Sequence, residues 1–406
     1  MWLDLITIGG GAAGFFGSIV AAERNPGMKI LILEKTSKLL SKVKVSGGGR
    51  CNVTHHCFEP TPLANHYPRG RKELKSLFRK FQARDMVVWL ESKKVKLKAE
   101  SDGRMFPMTD DSQTIIDCFL QEAERCRIQI KTNAEVTQVE KLNNEFIVHA
   151  GGAQFKAKNI LIATGGHNNS ASYGWLRKIG FPIVEPLPSL FTFNDSEKSF
   201  IDLMGVAVSN AEVKIAGTKF FQQGAVLITH WGLSGPAVIK LSAWAAEYLH
   251  QQRYTFTALV NWINLTEEQL REAFSALKTQ SGKQKVLSNP AFNLPTRLWQ
   301  RLCELAEIPE AKIWAELSNK QLNKLLENLI RCPFNIKGKT TFKEEFVTCG
   351  GIDLKAIDLE TMESKTQKGI YLAGEVLNID GETGGFNFQS AWTTAWVAAK
   401  AIAGSG

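Results

Sequence analysis

Hydrophobic positions recur along this chain with two different periods, and the switches between them mark its parts. The stretch LDLITIGGGAAGFFGSIVAAERN begins with a short apolar run, Leu3 to Ile8, breaks at three glycines, and resumes with Ala, Phe, Ile and Val at helical spacing up to Asn25-Pro26-Gly27. MKILILEK (28–35) is a second apolar run ending in Glu34. A strand, a glycine turn, a helix and a second buried strand make a βαβ unit that starts at residue 3. The segment 71–98 reads as helical and basic, and SQTIIDCFLQEAERCRI (112–128) as an amphipathic helix. From 134 to 166 apolar and polar residues alternate, with turn signals at Asn143-Asn144 and Gly151-Gly152; this predicts hairpin strands followed by a buried strand, NILIATGG.

From about 188 to 262 the alternation predicts mostly strands, with one helix near 235–250. From Thr266 to Ile330 the period turns helical, with a capping box at TEEQ. The last stretch, 369–403, returns to strand, glycine loop and helix. The expected architecture is therefore α/β. A Rossmann-like domain, 1–187 with 340–406, is split by a β-rich, barrel-like insert, 188–265 with 331–339, and by a helical subdomain, 266–330.

The chemistry of the first turn follows from Gly9-x-Gly11-x-x-Gly14. The first glycine allows the tight turn, the second a close approach to a pyrophosphate, and the third close packing of helix on strand. Glu34, at the end of the next strand, is placed to accept hydrogen bonds from a ribose diol. A second signature stands near the C-terminus, Gly374-Glu375 after IYLA, then GETGGFNFQSA. An acid there can hold ribitol hydroxyls, and the Gly384-Gly385 loop would set a helix N-terminus against a flavin pyrimidine. FAD is long enough to require both signatures, whereas a nicotinamide enzyme needs only the first. In KVKVSGGGRCN, Gly47 to Gly49 can then run beside the cofactor, with Arg50 facing an anion and Cys51 and Asn52 at the flavin edge.

These motifs resemble the family of bacterial FAD-dependent oxidoreductases typified by the BaiN and YhiN flavoproteins. The resemblance is carried nearly end to end by IGGGAAG, SGGGRCNVT (46–54), GRMFPMTDDSQTI (103–115), ATGG (163–166), THWGLSGPAV (229–238), FVTCGGI (346–352) and TMESKTQKGIYLAGEVLNIDGETGGFNFQSAW (361–392). It implies non-covalent FAD in a glutathione-reductase-type domain. By motif, the cofactor contacts would be Gly9, Gly11, Ala13, Gly14, Glu34, Lys35, Gly49, Arg50, Cys51, Asn52, Val136, Ala163, Thr164, Gly165, Gly374, Glu375, Gly385, Phe386 and Asn387. The text after ATGG, HNNSASYGW, departs from the family pattern, and no contact is carried onto 167–174.

The resemblance implies NAD(P)H-driven reduction of a conjugated C=C bond, first of all uridine to dihydrouridine in large-subunit ribosomal RNA; the alternative is a small-molecule flavin oxidoreductase, such as an enoate-type reductase, with no nucleic-acid substrate. With one dinucleotide fingerprint, NAD(P)H would dock only transiently. An amine oxidase is the other oxidoreductase reading. Carbon–carbon reduction needs an acid; the candidates are Cys51, whose thiol Arg50 would acidify if close, and His230 in THWGLSGP. Trp231 could stack a base.

Charge sharpens the choice of substrate. The net charge is +9, and between Arg69 and Lys98 eleven basic and three acidic residues give +8. That run is either a solvated face or a footprint for a polyanion such as ribosomal RNA. Hydrophobic residues make up 44% and charged residues 22%, and no apolar run approaches the roughly 18 residues that span a bilayer. The seven cysteines include no CxxC pair, which argues against a thiolate metal site and for a reducing compartment. The expectation is a cytoplasmic protein without metal or membrane partner.

Overall fold

The computed structural model describes residues 2–143, 145–340 and 347–404. Asn144 of the predicted turn and Phe346 of FVTCGGI lie outside the described residues. The chain divides into two compact units, Met1–Ser189 with Lys343–Gly406, and Leu190–Phe342.

The first unit is built on a sheet whose parallel core runs, in spatial order, Ile370–Leu372, Ala153–Ile162, Trp2–Ile8, Ile30–Leu33 and Gln129–Lys131. Leu5, Ile6, Ile30 to Leu33 and Ile160 to Ile162 are all buried, as strands covered on both faces require. Register decides where the chemistry can go. Ile8 pairs with both Leu33 and Ile162, and Ile162 pairs with Leu372. Four strands therefore end in line, and Gly9, Glu34, Ala163 and Ala373 leave the sheet along one edge. In doubly wound sheets that carboxyl edge is where ligands bind.

The first and last helices, Ala12–Arg24 and Phe386–Gly404, pack together on this sheet. A Cβ on Gly17 would stand 3.5 Å from Cβ of Ala395, and the rings of Phe16 and Trp392 lie 5.6 Å apart. The two ends of the chain thus share one core. Phe81, Trp89 and Phe119 complete it around Phe16. Each such side chain contributes on the order of 1.5–3 kcal/mol when fully buried.

Three strands, Ala153–Ile162, Glu145–Ala150 and Val136–Leu142, form the predicted hairpins. The basic segment is not one helix. It forms Arg71–Leu77, then Ala83–Ser92, then the strand Leu97–Ala99. The break falls where Phe81 is buried and Gln82 starts a new helix through a capping box with Asp85.

The second unit is a closed six-stranded barrel in the order Thr192–Asp195, Gly232–Ser234, Phe221–Ile228, Ala207–Ile215, Thr255–Asn261 and Cys332–Thr340. Closure leaves no unpaired edge. The helices Glu267–Gln280, Thr296–Leu305 and Asn319–Ile330 sit in the chain between two paired barrel strands and share the barrel's hydrophobic core. Thr266 and Gln269 form the capping box read from TEEQ. The segment 235–250 is two helices, Pro236–Trp244 and Ala246–Gln251. No helix among the described residues is long and apolar enough to cross a membrane.

Candidate active site

The carboxyl edge of the sheet carries the glycine turn, and each glycine there has a separate reason. Gly9 has φ +117°, and a Cβ would lie 2.3 Å from the carbonyl oxygen of Ala163. At Gly14 a Cβ would lie 2.0 Å from the carbonyl oxygen of Gly9. Turn and packing therefore demand those two. Gly11 is different, because no atom of the described residues lies within 4 Å of the Cβ position. It caps the helix Ala12–Arg24, which has no side-chain cap and no acid in its first turn. Helix N–H groups open onto unfilled space, which fits a pyrophosphate.

Glu34 is fixed beside this turn. Its Oε2 accepts from the N–H of Gly10 at 2.9 Å, and its Oε1 from the N–H and hydroxyl of Thr36, each at 2.9 Å. Lys35 next to it is exposed, and the chain from Asn133 towards buried Val136 runs alongside, with Ala134 donating to the Glu34 carbonyl at 2.8 Å.

Ala163, Thr164 and Gly165 form the next station on the edge. Ala163 donates to the Ile8 carbonyl at 2.8 Å, and Gly165, at φ +72°, faces open space. The buried hydroxyls of Thr164 and Thr348 have no hydrogen-bond partner among the described residues. Two buried hydroxyls with no protein partner among the described residues and the open glycine positions Gly11, Gly48, Gly49 and Gly165 suit a dinucleotide. The residues present therefore fit FAD.

Gly374 and Glu375 close the edge. Gly374 needs φ +79°, and a Cβ would meet that of Ala13 at 2.9 Å. Glu375 accepts from the N–H of Thr348 at 3.0 Å and pairs with Lys42 at 2.5 Å. Lys42 and Thr348 were not expected from the sequence. His167, just after ATGG, was also missed; burial, then Lys35 and Lys42, push its pKa down to about 4, so it is neutral at pH 7.

The two glycine loops meet. Gly47, Gly48 and Gly49 all have positive φ, at 58°, 69° and 87°. With its amide turned to satisfy both neighbours, Asn52 donates to the Thr54 carbonyl at 3.0 Å and accepts from the N–H of Gly385 at 2.9 Å. A Cβ on Gly385 would lie 2.5 Å from the Thr54 carbonyl oxygen. Asn387 closes its own loop, accepting from the Gly381 N–H at 2.8 Å and donating to the Gly381 carbonyl at 2.9 Å. Phe386 is buried against the imidazoles of His55 and His66.

Three expectations change. Cys51 is fully buried, and burial pushes its thiol up to about 12 rather than down. Its neighbour in sequence does not acidify it, because Arg50 is turned to Glu100 at 2.6 Å, Asp110 at 3.5 Å and the ring of Phe106 at 4.0 Å. Arg50 therefore offers no bare cation to an anion. The basic run, third, is partly neutralised. Arg69 is mostly covered and pairs with buried Asp380, at 2.5 Å from its Oδ1, while Lys80 pairs with Glu360, Lys93 with Glu23 and Glu122, and Lys98 with Asp110. Arg71, Lys72, Lys75, Arg79, Arg84, Lys94 and Lys96 stay exposed.

Apart from His230, every predicted site residue lies in the first unit. His230 is carried by the second, exposed in the Thr229–Gly232 turn with its ring 4.2 Å from that of Trp231. Among the described residues no group of histidine, cysteine and carboxylate side chains could hold a metal ion.

A Rossmann-type sheet, a glycine turn with an open helix end and a second, C-terminal glycine loop together define an FAD-dependent oxidoreductase. The chain belongs to the HI0933-like protein Rossmann domain family, whose pattern matches residues 3–401. It is 30% identical to the ribosomal RNA dihydrouridine synthase of Escherichia coli, over 98% of this chain and 97% of that one. It is 24% identical to the 3-dehydro-bile acid delta(4,6)-reductase of Clostridium scindens, over 98% of each chain. The fold is also that of the 3-ketosteroid delta1-dehydrogenase from Sterolibacterium denitrificans, with a TM-score of 0.54, 13% identity and full coverage of both chains.

Proposed function

We propose that this protein reduces a uridine of large-subunit ribosomal RNA to dihydrouridine, with NAD(P)H as reductant. The observation that carries this reading is the end-to-end similarity to the relative named a ribosomal RNA dihydrouridine synthase, which spans both units. The exposed cations Arg71, Lys72, Lys75 and Arg79 give it physical support, since a polyanion needs unpaired charge on the surface.

FAD would be held at its ADP end by Gly9, Gly11, Ala13, Gly14, Glu34, Lys35, Val136, Ala163, Thr164 and Gly165. Gly49 to Asn52, with Arg50 and Cys51 acting through their backbone, and Gly374, Glu375, Gly385, Phe386 and Asn387 would hold the flavin end, Asn387 by shaping its loop. When bound, FAD supplies hydride transfer between nicotinamide and an electron-poor alkene. The chain's own part is to hold the target base out of its stack, to exclude water and to bring a proton to the neighbouring carbon.

The test is a gene deletion. Ribosomal RNA from the deleted strain is digested and its dihydrouridine measured by mass spectrometry. Loss of one dihydrouridine, restored by the plasmid-borne gene, is the expected result; an unchanged level ends the RNA reading.

A second reading, reduction of a C=C bond in a small molecule, is favoured by the similarity to the bile acid reductase and by the pairing of Lys80, Lys93 and Lys98 within the chain. Flavin bleaching by an amine without nicotinamide would instead point to an amine oxidase.

A further inference from the structure

A carbon protonation at this site needs an acid, and Cys51 is a poor one. Its thiol is fully buried and held neutral. His66, which packs on the loop Gly381–Asn387, is a better group. His66 Nδ1 lies 3.1 Å from Oε2 of Glu382, and the N–H of Glu382 donates to the His66 carbonyl at 2.9 Å. Side chain and main chain thus lock the pair together across 316 residues of sequence. The Glu382 side chain is 7% exposed and that of His66 34%. The imidazole also stacks on Phe386, with centroids 4.2 Å apart and planes at 11°. Phe386 begins the long C-terminal helix, and its neighbour Gly385 is bonded to Asn52 of the other glycine loop. The pair therefore borders the place where the two loops meet.

A buried carboxylate on Nδ1 fixes the tautomer and orientation of an imidazole. Nε2 is the nitrogen that does not face Glu382, and the partial exposure of His66 lets water restore its proton. We propose that His66 is the catalytic acid of this site and that Glu382 is the residue that positions it, an assignment that rests on the alkene-reduction reading above. NAD(P)H is oxidised to NAD(P)⁺. The alkene takes a hydride at one carbon, which is C6 in uridine, and a proton from His66 Nε2 at its neighbour, C5. The C5=C6 π bond breaks, two C–H bonds form, and neutral His66 regains a proton from solvent.

The experiment uses flavin-loaded protein and ribosomal RNA from the deleted strain. His66→Gln and His66→Ala are expected to slow dihydrouridine formation by about 100-fold or more. Reduction of ferricyanide by NADH needs no proton on carbon and should persist in both. Imidazole added to His66→Ala should restore part of the RNA activity. Glu382→Gln should lower kcat with little change in KM. In ¹⁵N-histidine-labelled protein without RNA, neutral His66 should carry its proton on Nδ1, and Glu382→Ala should move it to Nε2. Dihydrouridine formation by His66→Gln within threefold of wild type would overturn the proposal. Parallel loss of ferricyanide reduction without imidazole rescue would do the same, as would an Nε2–H tautomer in the wild type. If wild type itself leaves this RNA unmodified, the substrate reading fails first and the acid assignment falls with it; the ferricyanide and tautomer readings tell that case apart.

Discussion

Lys42 Nζ lies 2.5 Å from Oε2 of Glu375, joining the segment before Gly47–Gly49 to the strand end near the C-terminus. The other oxygen of Glu375 accepts from the N–H of Thr348. One carboxylate thus ties together three chain segments at the carboxyl edge of the sheet, where the flavin end of FAD is proposed to lie. Lys42 is half exposed, so water screens the pair and its contribution to stability is about 1 kcal/mol or less. Glu375→Gln should therefore leave the melting temperature of the apoprotein nearly unchanged. It should weaken FAD binding by roughly tenfold, the scale of one charge-assisted hydrogen bond. Fluorescence titration of apoprotein with FAD reads the affinity.

Gly11 and Gly14 should fail in different ways. At Gly14 a Cβ meets backbone at 2.0 Å, so Gly14→Ala should lose folding stability by several kcal/mol. At Gly11 the protein leaves the space open, so Gly11→Ala should fold normally and yet purify without yellow colour. Thermal melts of the two apoproteins, alongside the flavin absorbance of each preparation, separate the cases.

Cys51 should be chemically silent. A thiol pushed up to about 12 and fully buried is neither thiolate nor accessible at pH 7–8. Iodoacetamide on the native protein should leave it unlabelled, as peptide mass spectrometry would report, and label it once the chain is unfolded. Cys51→Ala should cost about 1–2 kcal/mol of stability, as loss of a small buried group does, and slow dihydrouridine formation by less than tenfold.

The basic segment should split into two classes. Lys72 and Lys75 are exposed, so Lys72→Glu with Lys75→Glu should weaken RNA binding and flatten its salt dependence without lowering the melting temperature. Lys93 is committed to Glu23 and Glu122, so Lys93→Ala should destabilise the fold and leave the salt slope alone. Filter binding across a salt series, paired with thermal melts, distinguishes them.

Glu122 should set an acid limb of stability. Burial alone would raise its pKa, but Arg125 at 2.6 Å and Lys93 at 3.0 Å outweigh it and hold the carboxyl below its ordinary value. Its stabilisation is therefore complete above the unfolded-state value of about 4.3 and is lost as pH falls through the lower folded-state value. Glu122→Gln should melt earlier than wild type at pH 7, and the gap should close as pH drops below about 4. Scanning fluorimetry across pH 3–7 follows it.

Much of the candidate site was legible because its signals are local. Gly9, Gly11 and Gly14 announce a strand–turn–helix through spacing alone, and the structure supplies a steric reason for Gly9 and Gly14. The strand, glycine loop and helix of 369–403 were readable for the same reason. Other features were invisible to spacing. His66 and Glu382 belong to no common motif and meet only after the C-terminal loop folds back onto the N-terminal part. Arg50 is adjacent to Cys51 in sequence, yet its charge goes to Glu100 and Asp110.

The amino-acid order alone settles where the glycine turns and most strands and helices fall, because those depend on backbone freedom and on periods of two or 3.6 residues; the breaks inside 71–98 and 235–250 were decided by packing. Fold class and cofactor type follow from that local pattern. Which thiol is acidic, which lysine is bare and which histidine has a carboxylate partner are settled by packing. Those properties depend on water removed and charges brought together by segments hundreds of residues apart, and no local period encodes them.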